Sequence, residues 1–167
     1  MTWTILAMAL IAGLPAAAPA QGKTADFSGT WVLDSSKSEG LPPGMEQTMT
    51  VKQSGDQIEI ETLVKGPQGE QRIPDRYVLD GKEADFAPTI VGGGTGKGKR
   101  TAKWSEGGHG FESKESATVR GPEGDDVTIT ASRKWTLSPS GDTLTVELTM
   151  NGPMGEVTSK RVFARQK

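Results

Sequence analysis

The stretch "VTITASRKWTL", Val127 to Leu137, alternates without a break. One face reads Val127, Ile129, Ala131, Arg133, Trp135 and Leu137; the other reads Thr128, Thr130, Ser132, Lys134 and Thr136. Successive side chains of a strand point to opposite sides, so this is the pattern of a strand with one dry face and one wet face. A helix, at about 3.6 residues per turn, would scatter the same apolar set around its axis. The alternation returns in "TLTVELTMN", with Leu144, Val146, Leu148 and Met150 on one side, and in "QIEIETLV", with Ile58, Ile60, Thr62 and Val64.

Turn signals separate these runs. Three are nearly one phrase: "GPQGE" from Gly66, "GPEGD" from Gly121 and "GPMGE" from Gly152. Pro pre-sets a turn backbone and Gly supplies positive φ, so the repeated phrase reads as a repeated hairpin turn rather than a binding motif. "QSGDQ", "LDGKE", "SEGGHG" and "SPSGDT" punctuate the remaining runs. Strands are predicted at 28–34, 46–53, 56–65, 70–79, 82–88, 99–106, 110–120, 125–138, 142–151 and 155–165. Pro74 interrupts one of them and marks an edge or a bulge. A meander with one apolar face has exposed edges, and closing on itself removes them. The expected fold is all-β: an antiparallel up-and-down meander closed into a barrel of 8–10 strands.

The N-terminus follows another rule. "TWTILAMALIAGLPAAAPAQG" is an apolar run followed by small residues ending Ala18-Pro19-Ala20. That is the pattern of a secretory signal peptide with an A-x-A site before Gln21. The run is shorter than the ~20 apolar residues a spanning helix needs. The expected organisation is a signal peptide at 1–20 and a single barrel domain at 21–167, located in the periplasm or secreted. The chain has no Cys, which excludes disulfides and Cys-ligated metals. Its lone His, His109, sits inside a turn signal, so neither a metal nor a cofactor is expected. A net charge of −2 argues against nucleic acid as a partner. Outer faces rich in Thr, Ser and Lys predict a monomer.

"DFSGTWVLDSSKSE" opens the first strand with Gly29-Thr30-Trp31. This G-x-W on the first strand of an exported meander resembles the lipocalin, or calycin-type, superfamily. The whole chain from Gln21 resembles small exported bacterial lipocalin-like proteins, which open "SGTW-x-L-(D/N)-x-x-K-S" and run through "GPxGE" hairpins. The resemblance implies a barrel closed by an Arg near the end of the last strand, Arg165 or Arg161, packed against Trp31.

Arg133 is the strongest chemical clue, because it lies on the apolar face of the clearest strand, where an unpaired charge is costly. Matching apolar faces across the 121–125 turn sets Ser113 opposite Arg133 and Phe111 opposite Trp135. Glu115 is then diagonal to Arg133 on the same face. Extending the faces through the last hairpin turns Arg161 inward, beside Val146. The candidate binding residues are Arg133, Arg161 and Glu115, with Tyr77, Trp104, Phe111 and Trp135 as apolar wall. Arg holds a carboxylate or phosphate with a two-pronged fork, so the expected ligand is a small hydrophobic or amphipathic molecule with an acidic group. The alternative is a structural or interaction module whose barrel is filled by its own side chains. "GGGTGKGKR" fits G-x-x-x-x-G-K through Gly93, Gly98 and Lys99, but Arg100 stands where a phosphate loop needs a hydroxyl. Residues 91–100 read as a basic hairpin loop at the barrel mouth. No motif supports an enzyme.

Overall fold

The computed structural model describes residues 24–66, 69–88, 96–120, 124–153 and 155–167. The expected signal peptide and residues 91–95 of the Gly-rich segment lie outside the described residues. The strands are β1 (Gly29–Leu33), β2 (Glu46–Ser54), β3 (Gln57–Gly66), β4 (Gly69–Val78), β5 (Asp80–Phe86), β6 (Gly96–Trp104), β7 (Gly110–Arg120), β8 (Asp126–Leu137), β9 (Thr143–Gly152) and β10 (Gly155–Arg165). They form one antiparallel sheet of ten strands in the order β4-β3-β2-β1-β10-β9-β8-β7-β6-β5. The sheet curls into a nearly closed barrel whose lateral opening lies between β4 and β5. Among the described residues no helix is long and apolar enough to cross a membrane.

The clearest departure from the expected strands is β6, which begins at Gly96 rather than at 99. Gly96, Lys97, Gly98, Lys99 and Arg100 therefore belong to a strand and not to a loop. They do alternate, with the glycines turned inward and the lysines outward, but an inward glycine carries no apolar signal. The inward glycine is a steric requirement here: a Cβ on Gly98 would come within 2.6 Å of the Phe86 ring. Pro74 sits on β4, at one edge of the sheet, where a missing N–H costs no ladder bond.

Closure is made by β1 and β10, with Trp31 opposite Arg165, Val32 opposite Ala164 and Leu33 opposite Phe163. The Arg165 guanidinium lies 4.2 Å from the centroid of the Trp31 ring. It also donates from Nε to the Gly141 carbonyl at 2.7 Å, from Nη2 to that of Asp26 at 3.0 Å, and from Nη1 to that of Ser28. One side chain thus ties β10 to the β8–β9 turn and to the segment entering β1. That segment seals the barrel end. Ala25 N–H donates to Gly108 O at 2.8 Å, and Phe27 N–H donates to Gln53 Oε1 at 2.9 Å. Phe27 itself is buried, and its carbonyl accepts from Trp31 Nε1 at 2.9 Å.

In an antiparallel meander, every connection that follows an odd-numbered strand lies at the same end. The three Gly-Pro-x-Gly hairpins follow β3, β7 and β9, so all three border the end opposite the Phe27 seal; residues 67–68, 121–123 and 154 within them lie outside the described residues. Burial follows the same axis. On β8 the inward residues Leu137 and Trp135 are buried, whereas Arg133, Ala131, Ile129 and Val127 are half-buried. Leu148 and Met150 on β9 are likewise half-buried. On β8 and β9 the barrel is packed at the sealed end and more open toward the hairpin end, its mouth, while Val64, Ala117 and Val119 stay buried on β3 and β7.

Replacing Arg165 by Ala removes the ring contact and three donors at once. Urea unfolding followed by tryptophan fluorescence should report a loss of about 2–4 kcal/mol. A change below ~0.5 kcal/mol would mean that this side chain does not hold the closure.

Candidate functional site

Above the sealed end the inward positions change from apolar to charged. The register of β7 and β8 sets Ser113 opposite Arg133, Glu115 opposite Ala131 and Phe111 opposite Trp135. This is the alignment expected from the apolar faces, and it places Glu115 diagonal to Arg133. The two side chains form an ion pair between Glu115 Oε2 and Arg133 Nη1.

Glu115 has a second cation. Arg100 lies directly opposite it on β6, with Nε 2.9 Å from Glu115 Oε1. The side chains of Arg100 and Glu115 are only 7% and 6% exposed. Arg100 then reaches across the lateral opening to β4. Its Nη1 donates to Asp75 Oδ1 and to the Arg76 carbonyl, each at 2.6 Å. Its guanidinium is held between the Tyr77 and Phe86 rings, 4.2 Å from each centroid. Tyr77 completes the cluster by donating its hydroxyl to Asp75 Oδ2 at 2.9 Å.

The far side of the barrel carries Arg161. It faces inward on β10, opposite Val146. Its Nη1 lies 3.4 Å from Oε1 of Gln47 on β2, and its Nε is buried without a hydrogen-bond partner. Ser113 Oγ, Ser159 Oγ and Trp135 Nε1 are also buried without one, as are Arg100 Nε, Glu115 Oε1 and Arg133 Nη1, whose contacts are ion pairs without hydrogen-bond geometry. Asp75, Arg100, Glu115, Arg133 and Arg161 together carry three positive charges and two negative ones. The belt therefore has a net charge of +1, and the excess sits at Arg161.

Electrostatics separates the three arginines. Burial disfavours the Arg100 and Arg133 cations, but neighbouring Tyr77, Asp75 and Glu115 outweigh it, and both proton affinities are raised. For Arg161 burial acts in the same sense as repulsion from Arg133, and its proton affinity is lowered. Arginine keeps its proton under these pressures, so Arg161 is a half-buried cation without a counter-ion in the belt. Burial pushes the Tyr77 phenol well above its ordinary range, and it remains a neutral donor at physiological pH.

The aromatic residues expected as cavity wall pack on one another and on Phe27. Phe111 stacks on Trp135 with centroids 5.1 Å apart, and both touch Tyr77. Trp104 stacks with Phe27 at 6.2 Å, and its Nε1 donates to Asp56 at 2.8 Å. Tyr77, Phe111 and Trp135 make the floor of the open half, and Trp104 belongs to the seal. The open half is walled by Ile129, Ala131, Leu148 and Met150, half-buried and apolar. Asp75, Arg100 and Gln47 were not singled out by the sequence. The first two sit in a Pro-interrupted run and a Gly-Lys run, and the third is a neutral amide among threonines.

A cleft of ≈ 850 Å³ lies over the lateral opening, with Arg100 and Asp75 among its lining residues. It has the volume of a small-molecule site. The cation that reaches it, however, is already neutralised twice by the protein's own carboxylates.

No protein-family model and no curated protein matches the chain. Solved structures do match in fold. Zebrafish ileal bile acid-binding protein complexed with cholic acid superimposes with a TM-score of 0.50 at 19% identity, covering 84% of this chain and 98% of that one. Secretory abundant heat soluble protein 4 from Ramazzottius varieornatus has a TM-score of 0.47 at 14% identity, covering 84% and 94%. The likeness is one of fold: an antiparallel up-and-down β-barrel.

Removing one member of the Glu115 cluster leaves buried charge uncompensated. Glu115→Gln should cost about 3–5 kcal/mol in urea unfolding, since two guanidiniums then lose their shared carboxylate. A cost below ~1 kcal/mol would show that water already screens the cluster.

Proposed function

We propose that the chain is an exported binding protein, not an enzyme, that takes one small amphipathic anion into the open half of the barrel. The acidic group sits against Arg161, with Arg133 beside it, and the apolar body lies along Ile129, Leu148 and Met150 toward the mouth. The observation that carries this reading is the uncompensated cation: among the described residues Arg161 faces the interior with no carboxylate in ion-pair contact, its polar contact being the Gln47 amide. A fold that needed Arg only for packing would be expected to supply it a carboxylate, as it does for Arg100 and Arg133. A ligand oxyanion would neutralise Arg161 with a charge-assisted, two-pronged contact. The fold shared with a protein complexed with cholic acid supports a small amphipathic acid as the class of occupant.

Export rests on the apolar run and Ala18-Pro19-Ala20 ahead of Gln21. Export would put the protein in the periplasm or outside the cell, and outer strand faces rich in Thr, Ser and Lys suit a monomer. N-terminal sequencing of the chain recovered from an exporting bacterial host should begin at Gln21. A chain that still begins at Met1 would refute cleavage.

The binding reading makes stability and affinity move in opposite directions at one residue. Arg161→Leu removes a half-buried cation that has no carboxylate partner, so unfolding free energy should stay unchanged or rise by about 1–2 kcal/mol. Affinity for a long-chain fatty acid carboxylate should fall by about 10–100-fold, with little change for its methyl ester. Calorimetric titration of both ligands against both proteins tests this. Equal affinities in the two proteins would favour a barrel that works through its outer surface instead.

A further inference from the structure

We infer that Gln47 is the residue that makes the barrel select an anion, and that it does so by remaining neutral. The inference rests on the binding reading above and assigns its specificity. Gln47 is 5% exposed, on the inner face of β2, opposite Val64. Its carboxamide oxygen is the polar side-chain atom that meets Arg161, at 3.4 Å. Its amide nitrogen donates in the other direction, to the Met45 thioether at 3.4 Å. A thioether is a weak acceptor that takes a donor without adding charge. The amide is thereby oriented with its oxygen toward the guanidinium.

This contact steadies Arg161 without neutralising it. Elsewhere in the belt each guanidinium meets a carboxylate: Asp75 and Glu115 for Arg100, and Glu115 for Arg133. Position 47 is where the series stops. Glutamine and glutamate have nearly the same shape, so Gln47→Glu changes charge with little change in volume. It would balance the belt, three charges against three, and close Arg161 in an internal ion pair. An entering anion would then have to displace a carboxylate and leave it buried and unpaired, which is strongly unfavourable. A neutral ligand meets no such obstacle. Position 47 thus decides between an anion-selective barrel and one indifferent to charge.

Two naphthalene probes of similar shape separate these outcomes: 8-anilinonaphthalene-1-sulfonate, an anion, and N-phenyl-1-naphthylamine, its neutral counterpart. Fluorescence titrations would use the full barrel domain, with circular dichroism to confirm folding. The unsubstituted protein is expected to bind the sulfonate more tightly than the amine. Gln47→Glu should weaken the sulfonate by at least about 10-fold and leave the amine within about twofold. Gln47→Leu should keep the preference for the sulfonate, because it adds no charge. The proposal is overturned if Gln47→Glu keeps the sulfonate within about twofold, or if it weakens both probes alike, as a merely structural position would. It is also overturned if Gln47→Leu abolishes the preference, since contact rather than charge would then matter. An unsubstituted protein without any preference for the sulfonate would refute the binding reading itself, and this inference with it.

Discussion

Three residue pairs between β1 and β10 hold the two ends of the chain together, and nearly everything else depends on them. A ten-stranded meander left flat would expose its apolar face and two hydrogen-bonding edges. Pairing β1 with β10 turns that face inward. It also brings β2 within reach of β10, so that Gln47 meets Arg161 across 114 residues of sequence. The closure is reinforced where it is shortest: β1 contributes only five residues. Arg165 compensates by lying over Trp31 and donating to three backbone carbonyls from two separate segments.

The barrel divides its interior between two tasks. The sealed half is a packed aromatic cluster around Phe27, Trp31, Phe111 and Trp135, and there burial of apolar surface supplies the stability. The open half carries the charged belt and half-buried apolar walls. A buried ion pair is a poor source of stability, because desolvation offsets most of the attraction. The belt is better understood as the means of holding specific groups at specific places, above a floor rigid enough to keep them there. Arg161, the belt arginine without a carboxylate partner among the described residues, is the one that gains least within the protein.

The lateral opening shows how such a barrel tolerates incomplete closure. β4 and β5 are joined through buried Leu79 and do not pair with each other. Arg100 spans the space with one side chain, held between two rings and bonded to β4 through a carboxylate and a carbonyl. Its own strand has glycines at the two preceding inward positions, which leaves room for Phe86 to cover it. Pro74 on the β4 edge and the charged residues of β5 discourage pairing with another chain.

The period-two pattern determined the strands, because solvent on one face and core on the other impose it residue by residue. The hairpin phrases determined the order of reversals, and parity then put all three at one end. Even the Glu115–Arg133 diagonal was readable, because a hairpin register follows from apolar faces separated by a short turn. Arg165 on Trp31 was accessible only through resemblance to other barrels. Arg100, Asp75 and Gln47 were decided by tertiary structure alone. Arg100 was hidden in "GKGKR", where inward glycines erase the hydrophobic signal of a strand. Asp75 and Gln47 acquire their roles from partners 25 and 114 residues away. Local sequence states which way a side chain points; only closure of the sheet states what it will face.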